Sequence, residues 1–99
     1  MKLLAYHPAA SAELEAEILY CESERGGAGV HVRSDIAETL AVIREFPWIG
    51  RHDDFGGRRI VTRRYRLVIH YELLGNRIVV WAVAHPSREP GYWQRRRSP

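Results

Sequence analysis

From Tyr65 onward the chain alternates, with Tyr65, Leu67, Ile69, Tyr71 and Leu73 at the odd positions and Arg64, Arg66, Val68, His70 and Glu72 at the even ones. A period of two marks a strand with one buried face. Leu74-Gly75-Asn76-Arg77 interrupts it with two residues that tolerate the positive φ of a tight hairpin, and Ile78 to Ala84 follows as a nearly unbroken β-branched apolar run. The pattern predicts a three-stranded meander over residues 58–84, its last strand central in the sheet.

Nearer the N-terminus the period lengthens. Ala10, Leu14, Ile18 and Cys21 are spaced four, four and three, the stripe of a helix over residues 8–25, and Val32, Ile36, Leu40 and Ile43 predict a second helix over 30–46. Pro8 suits the first turn, and Glu13, Glu15 and Glu17 near the start with Arg25 at the end suit the helix dipole. Gly26-Gly27-Ala28-Gly29 permits a reversal between the helices, and Phe46-Pro47 stops the second. Trp48-Ile49-Gly50 is expected to pack back beneath it, with residues 50–57 as a loop into the meander. Residues 1–7, apolar up to Pro8, read as a first strand at a sheet edge. The order is strand, helix, helix, strand, strand, strand. It describes one α+β domain over residues 1–99, a helical hairpin packed on an antiparallel β-sheet.

Composition supports this and adds an asymmetry. Ninety-nine residues, 45% hydrophobic and 27% charged, suit one globular domain. A short apolar start broken by Pro8 and followed by acids predicts neither a signal peptide nor a membrane span, and the single Cys21 agrees with a reducing compartment, so a cytoplasmic location is expected. The net charge of +3 hides a division: residues 1–57 carry 5 Lys+Arg against 10 Asp+Glu, and residues 58–99 carry 10 Arg against 2 Glu. The basic half is therefore expected to face an acidic partner, a nucleic acid or an acidic protein segment.

Candidate chemistry gathers in that half. His85 stands where the last strand ends, close in sequence to Arg88 and Tyr92, and a pocket of His, Tyr and arginines has the groups for metal-independent RNA cleavage. The catalytic candidates are Arg59, Arg63, Arg64, His85 and Tyr92. Against this stands a structural reading in which His85 and Pro90-Gly91-Tyr92-Trp93 clasp the open end of the core, preferred because spacing fixes no acid–base pair. Arg63, Arg64 and Arg66, flanking Tyr65 on the expected strand, together with Arg88, Tyr92, Trp93 and the basic run Arg95-Arg96-Arg97 in the tail 85–99, are the partner-binding candidates. The histidines show no metal-ligand spacing, His52-Asp53-Asp54 reads as a solvated loop, and His70 as a hydrogen-bonded or exposed strand residue. Neither metal nor cofactor is expected.

A strand ending Val83-Ala84-His85 and continuing through Arg88-x-Pro90-Gly91-Tyr92-Trp93 resembles the C-terminal signature of the RelE/ParE toxins of bacterial type II toxin–antitoxin systems, a family that includes plasmid stabilisation proteins. Tyr6-His7-Pro8 opening an Ala/Glu-rich helix, the glycine break at 26–29, Ile43-Arg44-Glu45-Phe46-Pro47 and the Arg-flanked strands are similar to that family in order and spacing. The resemblance implies a growth-inhibiting toxin neutralised by a cognate antitoxin, with a higher-order complex of the two left open. It implies one of two targets: DNA gyrase, bound by protein contact, or mRNA on the ribosome, cleaved by an endoribonuclease. The clasp reading, the single lysine Lys2 where RelE-type nucleases rely on several, and the acidic helical half favour the gyrase branch. A nucleic-acid- or protein-binding module without toxicity is the third alternative.

Overall fold

The computed structural model describes residues 2–97, so Met1 of the expected first strand and Ser98 and Pro99 of the expected tail lie outside the described residues. The elements are β1 (Leu3–Tyr6), α1 (Pro8–Glu24), α2 (Ala28–Glu45), β2 (Arg51–His52), β3 (Arg58–Val61), β4 (Val68–Leu74), β5 (Arg77–Ala84) and a 3₁₀ turn at Gln94–Arg97. They form one five-stranded sheet in the order β1-β5-β4-β3-β2, with two helices packed on it.

The expected element order is present, with β1 at an edge and β5 interior. The sheet is mixed, because β1 runs parallel to β5, pairing Leu4 with Ile78 and Tyr6 with Val80. Two antiparallel helices return the chain to the end of the sheet at which β1 finished, so β2 runs opposite to β1, and the antiparallel steps through β3 and β4 bring β5 back to the direction of β1. Ile18, Val32, Ile36, Leu40 and Ile43 from the helices meet Ile69, Tyr71, Ile78 and Val80 from the sheet in a single core. Leu14 and Cys21 of the predicted stripe are only half-buried at its margin.

Four local expectations fail. β4 begins at Val68 and not at Tyr65, because residues 62–67 close a loop on themselves. The Thr62 N–H donates to the Leu67 carbonyl, the Leu67 N–H donates to the Thr62 hydroxyl, and Arg66 takes φ 60. A left-handed residue cannot continue a strand, so Arg63, Arg64 and Arg66 sit on a turn and not on a sheet face. Residues 51–52 of the expected loop form a short edge strand, β2, against β3. Trp48 and Ile49 do not pack under α2; they are 65% and 48% exposed. Their backbone is nonetheless fixed, since the Tyr71 hydroxyl accepts from the Gly50 N–H and donates to the Pro47 carbonyl, and Arg58 donates to the carbonyls of Trp48 and Gly50. At Gly50 a Cβ would lie 2.6 Å from the Tyr71 oxygen, which explains the glycine. The fourth concerns the dipole: no acid occupies the first turn of α1, whose N-cap is His7, accepting from the Ala9 N–H through Nδ1.

The β4–β5 hairpin closes as expected, with φ 60 at Gly75. A register shift between His70 and Tyr71 leaves Trp81 unpaired as a bulge, which places Trp81 and Ala82 in succession on the sheet face away from the helices. That face is where the C-terminal tail lies.

Candidate functional site

The tail folds across the outer sheet face and is tied there by two carboxylates from the first three-quarters of the chain. Trp93 is 1% exposed and stacks on His70, ring centroids 4.8 Å apart. Its indole N–H has no partner among the described residues, so the ring serves packing and not hydrogen bonding. Glu13, one and a half turns into α1, points at the tail and accepts four hydrogen bonds from three residues. Arg96 donates to both oxygens at 2.9 and 3.0 Å, the Tyr92 hydroxyl donates at 2.7 Å, and the Val83 N–H at 3.1 Å. Burial by itself raises the Glu13 pKa, but these donors outweigh it and hold the carboxyl below its ordinary value. The same contact, with burial first, pushes the Tyr92 phenol far above its ordinary value. A second fork joins Arg97 to Glu72 at 2.7 and 2.8 Å, with the Trp81 indole N–H donating to the same carboxylate. Hydrogen bonds from Arg97 are the main reason that Glu72 also lies below its usual range.

Beside the clasp opens a cleft of about 330 Å³, walled on one side by Arg51, Arg59 and His70 of the sheet and on the other by His85, Arg88 and Tyr92 of the tail. His70 is buried and its Nδ1 is 2.9 Å from Asp53 Oδ2. Asp53 is therefore not solvated as expected; its side chain is 6% exposed, and its other oxygen accepts from the Phe55 N–H. His52 and Asp54 beside it are exposed. Burial lowers the His70 pKa, and Asp53 only partly offsets this, so the ring is neutral at pH 7 with its proton on the side of Asp53.

The residues singled out from the sequence fall into three places. Arg59, His85, Arg88 and Tyr92 line the cleft. His85 is exposed, 2.8 Å from the Ser87 hydroxyl, and takes no part in the clasp, contrary to expectation. Arg88 lies over the Tyr92 ring at 3.8 Å, with Arg96 on the same ring at 5.2 Å. Arg63 and Arg64 line a separate shallow depression with His31, Asp35 and Glu38, so the five catalytic candidates are not brought together. Arg63, Arg64, Arg66 and Arg95 are exposed, whereas Arg96 and Arg97 are held in ion pairs. Trp93 is core. Asp35 is buried, and its carboxylate accepts from the N–H groups of Arg64 and Tyr65 at 3.1 and 2.8 Å, fixing the arginine loop by its backbone and leaving the guanidinium groups outside. The sequence carries no signal for Glu13, Glu72 or Asp35, whose partners are 9 to 83 residues away. For the Asp53–His70 pair the available signal was a histidine on the sheet face that an aromatic tail would cover.

No helix among the described residues is long and apolar enough to cross a membrane. The family profile of the ParE toxin of type II toxin–antitoxin systems, parDE, matches residues 4–90. Among solved structures, a chain of a chromosomal ParDE toxin–antitoxin system from P. aeruginosa is similar in fold, with a TM-score of 0.75 at 18% identity over 86% of this chain and 96% of that one. No curated protein matches.

Proposed function

The chain belongs to the ParE toxin family of type II toxin–antitoxin systems, and on that premise we propose that it arrests growth by binding DNA gyrase and is neutralised by a cognate antitoxin. The observation that carries the choice of a protein-binding inhibitor is the state of Tyr92. Its hydroxyl is engaged by the Glu13 carboxylate and its pKa is driven away from neutrality, so it is a poor proton donor in the physiological range. Arg63 and Arg64, needed to complete a nuclease constellation, line a different depression. What the protein does offer a partner is exposed guanidinium at Arg63, Arg64, Arg66, Arg88 and Arg95, together with the rigidly held, exposed Trp48 and Ile49. Arginine and tryptophan on a fixed backbone are the residue types that dominate protein interfaces.

The antitoxin is expected to meet the arginine loop with acidic side chains, and a higher-order complex is compatible with this. Arg63→Glu or Arg66→Glu should weaken the toxin–antitoxin complex by about tenfold and reduce the salt dependence of its assembly. Unchanged affinity in both would move the interface to the helices.

Gyrase supercoiling and primer extension on translated mRNA test the target. His85→Gln should leave toxicity and supercoiling inhibition intact, with no cuts in message. The second reading, a ribosome-dependent mRNA endoribonuclease, is favoured by Arg59, His85 and Tyr92 lining one cleft. It would prevail if codon-specific cuts appear and His85→Gln lowers the rate by about 10²-fold or more.

A further inference from the structure

Three side chains cross the outer sheet face in register and have no use in the inhibitor reading. Arg51 pairs with Arg59 across β2 and β3, and Arg59 pairs with His70 across β3 and β4. Adjacent strands are about 4.8 Å apart, so the three Cα atoms span about 10 Å, within which two long arginine side chains can converge beside a short histidine. All three line the cleft. Among the described residues neither arginine has a carboxylate partner, in contrast to Arg33, Arg96 and Arg97. His70 holds Asp53 through Nδ1, and among the described residues no hydrogen bond occupies its Nε2. Exposed Asp54 and Glu89 also line the cleft, as does Arg88.

We propose that Arg51, Arg59 and His70 form a binding site for the phosphate group of a phosphorylated ligand. The guanidinium forks match phosphate oxygens two at a time, and a tetrahedral anion has enough oxygens to be shared by three side chains in a row, where a planar carboxylate has two. A cleft of about 330 Å³ has room for a phosphate with a ring-sized substituent, which would lie between Phe55 and Tyr92. Without a bound anion His70 is neutral, its charge set by burial, Asp53, Arg59 and Glu13. A bound dianion favours the imidazolium, so His70 takes up a proton and Nε2–H becomes a third donor. The site is independent of which protein the toxin acts upon, and no cleavage step is attached to it.

The test is NMR of the histidine side-chain nitrogens in the whole chain, titrated with inorganic phosphate, sulfate and acetate at constant ionic strength. Sulfate does not titrate between pH 5 and 8, and reading the signal at His70 separates it from His52 and His85. Phosphate and sulfate should give a saturable shift at His70 Nε2 and raise the pH of its titration midpoint. Arg59→Gln or Arg51→Gln should weaken binding about tenfold or more, and Arg33→Gln should not. Absence of saturation by about 10 mM phosphate, an equal response to acetate, or unchanged binding in both arginine variants would overturn the proposal. The source of the phosphate is then read by comparing a nucleoside 5′-monophosphate with a short oligonucleotide lacking terminal phosphates. Tighter binding of the first assigns a terminal monoester, and of the second a diester backbone; either keeps the site.

Discussion

The loop 62–67 and the tail 92–97 are equally rich in arginine, and the structure uses them in opposite ways. In the tail, Arg96 and Arg97 turn inward to Glu13 and Glu72. In the loop the buried carboxylate of Asp35 is taken by backbone N–H groups, so that Arg63, Arg64 and Arg66 are left outside. A cluster of arginines in a sequence is therefore not by itself a binding surface. What decides is whether the carboxylate that arrives from a distant element meets a side chain or a main chain.

The comparison predicts an order of effects. Trp93→Ala should cost most, about 3–5 kcal/mol in urea denaturation, since it empties the space between the tail and His70. A loss below about 1 kcal/mol would mean that the tail is not part of the cooperative unit. Glu13→Ala follows at about 3 kcal/mol, because it leaves Arg96 and the Tyr92 hydroxyl without their partner in a half-buried setting. The analogous change in the loop, Asp35→Ala, should cost about 1–3 kcal/mol by releasing two N–H groups. If it matched Glu13→Ala and also abolished the antitoxin complex, the loop would be shown to need its backbone anchor for recognition. Smallest and of opposite sign, Arg66→Gly should stabilise by about 0.5 kcal/mol, since glycine adopts φ 60 without the Cβ clash at the expense of unfolded-state entropy.

Acid should loosen the tail in two stages. Glu13 and Glu72 have pKa values below the unfolded value of 4.5, so their contribution is complete above that value and is lost as the pH falls through their folded values. His70, lowered from 6.5, adds an earlier slope: stability declines as the pH drops from 6.5 towards its folded value, because the unfolded state binds the proton more readily. His70→Gln should flatten stability between pH 7 and 5 and leave the steeper acid limb in place. A persistent slope there would assign it to another group.

The large elements were legible because each repeats its signal: the two helical stripes and the apolar run 78–84 are long enough for a period to show. The strand expected from Tyr65 was misplaced because alternation by itself cannot distinguish a strand from a loop whose Thr62 hydroxyl competes for the Leu67 N–H. At two residues, β2 is too short to carry a pattern, and Trp48 and Ile49 look like core by composition although their backbone is held facing outward. In the site, Tyr92, Trp93 and Arg59 could be named from the sequence. The carboxylates that hold this region could not, since Glu13, Glu72 and Asp53 carry no local mark of the group that each one meets.

The bonds from Glu13 to Val83, Tyr92 and Arg96 also set a schedule for synthesis. At about 5–20 residues per second, roughly 2–8 s separate completion of α2 at residue 45 from completion of β5 at residue 84. During that interval the hairpin has no sheet to cover its apolar stripes, and β1 has no neighbour to pair with. The nascent chain thus emerges as a sticky helical pair and acquires its basic face only when nearly the whole polypeptide has left the ribosome, so its topology delays the arrival of a working toxin until the end of translation.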